Sequence, residues 1–96
     1  MTHVDVRDRG WNLWQADLHL RSARLLAVEH PDWIDRRLGW TDIEHARLLQ
    51  GAYGFYLVAG LGRLAGRVRW LARQRGNVLD AWATFDKLNA GGGGAE

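Results

Sequence analysis

The 96 residues carry 13 Lys and Arg against 11 Asp and Glu, a formal charge of +2, with 47% hydrophobic residues, six Trp and no Cys. That length supports one small core and no second domain, and the apolar and aromatic content excludes a disordered chain. Without Cys neither a disulfide framework nor a thiolate metal site can be built, so buried Trp must do the work of staples.

The charge is unevenly placed. Residues 1–48 hold seven Arg against eight acids, a net of −1, whereas residues 49–96 hold six basic side chains against three acids, a net of +3. Twelve of the 13 basic residues are Arg, which fits a GC-rich bacterial or phage genome. Residues 1–10 mix Asp5, Arg7, Asp8 and Arg9 with no apolar run behind them, so they read as a flexible arm, not a secretory leader. The expected location is cytoplasmic.

Residues 11–89 read as a single helical domain. The first helix starts with Asn12 as its cap and runs to Glu29, a stretch free of Pro and Gly. Two apolar rows run along it. Trp11, Trp14, Leu18, Leu25 and Val28 share one face, interrupted by Arg21, while Leu13, Ala16, Leu20, Ala23 and Ala27 form another. Asp17 and Arg21, four residues apart, suit a solvated helix edge. Pro31 ends the helix through its effect on His30, and a compact connector follows as far as Gly39.

Thr41, Asp42, Ile43 and Glu44 match the capping box, so a second helix should begin there. It enters an uncharged run, residues 48–62, that contains Gly51, Gly54, Gly60 and Gly62. The run is short of the roughly 17 to 25 apolar residues that cross a bilayer, so a membrane span is not expected. Ala46, Tyr53, Leu57, Leu61, Leu64, Val68 and Leu71 keep one helical phase through it, which predicts a long or kinked central helix. The alternative is a short strand at residues 52–59, an α+β arrangement, because aromatic residues there sit between glycines. Gly51, Gly54, Gly62 and Gly66, with Phe55, would give such a helix a smooth face for close packing, either within the chain or between chains.

A third helix is expected from Asn77 to Leu88 or Asn89, burying Leu79, Trp82 and Phe85. Residues 90–96, glycine-rich with nothing to bury, read as a disordered tail. The fold class is therefore all-α, a small domain of about three main helices.

Candidate chemistry is thin. The four histidines lie in different segments without metal-ligand spacing, Asp32 and Asp35 beside His30 suit turn capping, and Ser22, the only serine, lacks a nucleophile's turn. No catalytic residue, metal or cofactor is assigned, and an enzyme is not expected. The basic block Arg63, Arg67, Arg69, Arg73 and Arg75, with Trp70, is the main candidate surface. Arg and Trp dominate protein interfaces, and Arg with an aromatic ring also binds phosphates and stacks bases. The leading expectation is a non-enzymatic helical interaction or assembly subunit, of the kind found among phage and mobile-element accessory or structural proteins. It would dock on a protein partner or on itself through the Gly/aromatic face and the Arg cluster. A small nucleic-acid-binding protein using the Arg block is the alternative.

Overall fold

Every regular element in the computed structural model, which describes residues 8–29, 39–74 and 76–91, is helical. Helix α1 spans Arg9–Arg24 and runs on through a π-helical turn, Leu25–Glu29; α2 spans Gly39–Val58, α3 Gly62–Ala72 and α4 Val78–Gly91. The all-α expectation holds. Residues 52–58, where a strand is the alternative, are helical, and no strand occurs among the described residues.

The long central helix is in fact two. Gly60 takes φ +85°, the left-handed conformation that a glycine adopts without steric cost. Around it the Leu61 N–H donates to the Tyr56 carbonyl at 2.9 Å and the Gly60 N–H to that of Leu57 at 3.1 Å, the Schellman pattern that ends a helix. Arg9, from the start of α1, adds a hydrogen bond from Nε to the Ala59 carbonyl at 2.9 Å, a cation at a helix C-terminus. The continuous 3.6-residue phase on both sides of Gly60 is what makes the sequence read as one helix, and the chain reverses there instead.

Helix starts also differ from expectation. The cap of α1 is Asp8, whose Oδ1 accepts the Trp11 N–H at 3.1 Å. Asn12 sits a turn inside the helix, buried, with its Nδ2 donating to the Asp8 carbonyl at 2.8 Å. Gly10 is therefore helical and not part of an arm. Helix α2 begins at Gly39, two residues ahead of the expected Thr41 cap. Residues 1–7 of the arm, the connector with His30, Asp32 and Asp35, and residues 92–96 of the tail lie outside the described residues.

The core is set by small side chains. Helix α1 lies along α2 with Ala16, Ala23 and Ala27 fully buried, and α2 answers with Leu49, Ala52 and Tyr56. Alanine at a crossing lets two helices approach closely. Gly51 contributes too, since a Cβ there would lie 2.6 Å from His19 Cδ2. The buried line of α2 is His45, Leu49, Ala52 and Tyr56, continuing into Ala59; their spacings of four and three residues make one helix face. It is not the line through Tyr53 and Leu57, because Leu57 is 50% exposed. On the far side α3 buries Ala65, Val68 and Leu71, and α4 buries Val78, Ala81, Trp82 and Phe85. Leu79, expected inside α4's core face, is exposed.

Polar bonds lock the layers together. Trp82 Nε1 donates to His45 Nε2 at 3.1 Å in a buried contact that ties α4 to α2, and the Trp82 ring meets Phe85 edge-on at 5.5 Å. The Tyr56 hydroxyl donates to Asp17 Oδ1 at 2.5 Å, tying α2 to α1, so Asp17 has a structural partner and is more than a solvated edge. Arg24 bonds Asp86 with Nη2–Oδ2 at 2.9 Å, but both side chains are more than 40% exposed, and such a pair adds no more than about 1 kcal/mol.

Gly60→Ala should cost about 1–2 kcal/mol, because a Cβ is strained at positive φ, lowering Tm by roughly 4–8 °C per kcal/mol for a domain of this size; thermal circular dichroism checks this. Burial, then the hydrogen bond and charge of Asp17, push the Tyr56 hydroxyl well above its ordinary value. The neutral phenol is the form the fold favours, so its contribution is complete below about pH 10 and is lost as pH rises further. Urea titrations from pH 8 to 11 should show Tyr56→Phe less stable by about 1 kcal/mol at pH 8, with the gap to the parent closing as pH increases.

Candidate interaction surfaces

Residues 45–79 contain six Arg and no Asp or Glu, so α3 and the outer side of α2 form a region of one charge sign. The fold divides the Arg block instead of presenting it as one face. Arg63 is exposed on the outside of α3, where Trp70 is 39% exposed, whereas Arg73, the residue just past the end of α3, is exposed between α2 and α3. Arg67 turns toward α4, where its Nη1 donates to Asn89 Oδ1 at 3.0 Å. Arg69 bends over α2, its guanidinium carbon 5.9 Å from the centre of the Tyr53 ring, within cation–π range. Arg75 lies outside the described residues. Tyr56, which helical phase groups with Arg63 and Arg67, is buried on the opposite side.

A crevice of about 590 Å³ opens between α2 and α3. Leu49, Gln50 and Tyr53 line it from α2, and Arg69, Ala72 and Arg73 from α3. A separate groove of about 400 Å³, lined by Trp11, Gly54, Phe55 and Val58 among others, lies where α1 crosses α2. Its aromatic wall is an edge-on pair, Trp11 and Phe55, with ring centres 5.6 Å apart.

The glycines separate in the same way. Only Gly51 is used for close approach inside the chain; a Cβ at Gly54, Gly62 or Gly66 would meet nothing within 4 Å. Of these four glycines, packing within the monomer therefore explains Gly51 alone.

Another exposed apolar surface lies on α1. Trp14 is 58% exposed, Leu18 41% and Leu25 53%, and they lie on the side of α1 opposite its buried alanines. Arg21 stands among them. Both rows of α1 are legible as apolar from sequence, and the signal that ranks them is size: the row richest in Ala is the one that fits against a neighbouring helix. Among the described residues no helix is long and apolar enough to cross a membrane, and no three His, Asp or Glu side chains converge as metal ligands.

Gly66→Ala should raise stability by about 0.5–1 kcal/mol, since it removes a helix-interior glycine where space is open. Gly51→Ala should lower it by about 1–3 kcal/mol through overpacking, because the His19 ring is held by Nδ1 at 2.7 Å from the Gln15 carbonyl. Urea denaturation of the two variants measures both effects. Comparison of the chain with protein-family models, with curated proteins and with solved structures returns no match.

Proposed function

We propose that the protein is a non-enzymatic assembly subunit that pairs with a second copy of itself through the outer face of α1. The observation that carries this reading is the exposure of Trp14, Leu18 and Leu25 on a helix whose opposite face is already buried. Half-exposed side chains of this size in a line, not scattered singly, mark an interaction surface.

Spacing and charge fit a second copy of the chain as the occupant. The exposed residues 14, 18, 21 and 25 follow steps of four, three and four, the seam of a paired helix. The series is symmetric about its midpoint, so a two-fold axis there sets Trp14 against the partner's Leu25 and Leu18 against the partner's Arg21. Arg21 is exposed and Asp17, also exposed, is one turn away. Antiparallel pairing brings Arg21 of each copy beside the partner's Asp17, whereas parallel pairing sets the two Arg21 side chains against each other. A self-complementary patch of this kind is what a two-fold dimer requires.

Fully burying one such side chain contributes about 1.5–3 kcal/mol, and these are half buried already. Six of them supply gross stabilisation on the order of 5–9 kcal/mol, against an association cost of about 4 kcal/mol or more. The surplus reaches about 5 kcal/mol at its upper end, a dimer with a Kd of roughly 0.2 mM. Sedimentation equilibrium from about 1 to 500 μM should show concentration-dependent dimerisation, abolished by Leu18→Glu with helicity retained. Reversing the charge with Arg21→Glu, which sets an acid beside the partner's Asp17, should weaken it with helicity retained. A strict monomer across that range would reject the reading.

A further inference from the structure

We propose that the crevice between α2 and α3 is a phosphate-binding site, with Arg69 and Arg73 as anion ligands and Gln50 as a donor from the opposite wall. This goes beyond the assembly reading and rests on other residues. Arg69, in the last turn of α3, and Arg73, the C-cap residue four positions on, both line the crevice, as does Gln50 on α2. Guanidinium groups present rigid forks of N–H donors that match phosphate oxygens, and the side-chain amide adds two more.

Three further observations distinguish the site from an ordinary basic helix face. Arg69 is positioned, not free, because it lies over the Tyr53 ring; that contact orients the fork without using its N–H donors. No carboxylate lines the crevice among the described residues, and residues 45–79 contain neither Asp nor Glu. The volume of about 590 Å³ is within the range of small-ligand sites, large enough for a phosphate with an attached sugar or ring. The walls supply donors at the rim and Leu49, Tyr53 and Ala72 within. The ligand class is accordingly a phosphate ester, as a nucleotide unit free in solution or in a nucleic-acid strand.

The two sources are separated by probe. Binding of a labelled 12-nucleotide single strand, followed by fluorescence anisotropy at about 50 mM salt, tests the strand, and competition by AMP tests the free nucleotide. In either arm the double variant Arg69→Gln with Arg73→Gln should weaken binding at least about tenfold and lower the salt slope by about two. Arg63→Gln, on the outside of α3 and away from the crevice, should change affinity less than about twofold, a change no larger than loss of a diffuse charge contributes. Tyr53→Phe should retain binding and Tyr53→Ala should lose several-fold, which a purely electrostatic face would not do. All of these side chains are at least partly exposed, and matching helicity confirms that the variants fold. Equal losses for Arg63→Gln and the double variant, or no binding of either probe at low salt, would overturn the proposal. Repeating the titration with Leu18→Glu keeps this outcome separate from failure of the dimer.

Discussion

The reversal at Gly60 is the constraint on which the arrangement depends. With a left-handed residue and two closing hydrogen bonds at the end of α2, the second half of the chain must turn back, so α3 packs beside α2 instead of extending beyond it. That return gives Ala65, Val68 and Leu71 a neighbour to bury against. It also brings Arg69 over Tyr53, sixteen positions away in sequence, a contact that a continuous helix could not make. The next reversal carries α4 back far enough for Trp82 to reach His45 near the start of α2. One glycine thus determines which side chains of an uncharged run are core and which form a crevice wall.

The second determinant is the thinness of the α1–α2 seam. Alanines at residues 16, 23 and 27 let the two backbones come close, and Gly51 removes the side chain that would collide with His19. Close approach leaves no room there for Trp14, Leu18 or Leu25, so the larger apolar side chains of α1 are directed outward. The described residues extend 40 × 36 × 19 Å, and the short dimension is only about two helix diameters. In a layer that thin, helices have outer faces with nothing over them. Exposed apolar residues on α1 are a geometric consequence of packing small residues inside.

How much of this is readable from residues alone depends on the kind of signal. Helix content is legible because propensity and phase agree over long stretches, as in residues 11–29, and α4 begins within one residue of the position marked by Gly76 and Asn77. Core identity is less so. Phase identifies faces but does not rank them: on α1 it yields two apolar rows, and on α2 it favours the row through Leu57 over the true one because that row contains His45, whose burial depends on a bond from Trp82. The end of α2 is hidden for a similar reason. Several glycines occur in the run, and only the bonds to Tyr56 and Leu57 carbonyls mark Gly60 as the one that stops the helix. Long-range polar partners such as Tyr56 with Asp17 and Arg67 with Asn89 leave no local trace at all.

The Arg block illustrates the difference between composition and arrangement. As a sequence it is five cations in thirteen residues, which any acidic surface would attract. Folding places those cations differently: Arg67 reaches α4, Arg63 is exposed on the outside of α3, and Arg69, lying over an aromatic ring, lines the crevice together with Arg73. Helix α2 stands between that crevice and the outer face of α1, since Tyr56 reaches α1 through Asp17 whereas Tyr53, three residues earlier, faces α3. A subunit pairing through α1 therefore leaves its crevice open, and each dimer would carry two of them. Two sites on one rigid body convert a second phosphate contact along a strand into an intramolecular event at high effective concentration. On the two proposals together, weak crevices and a weak dimer would reinforce each other: a strand engaging both crevices would favour the paired state, and pairing would select a strand long enough to span them over a free nucleotide.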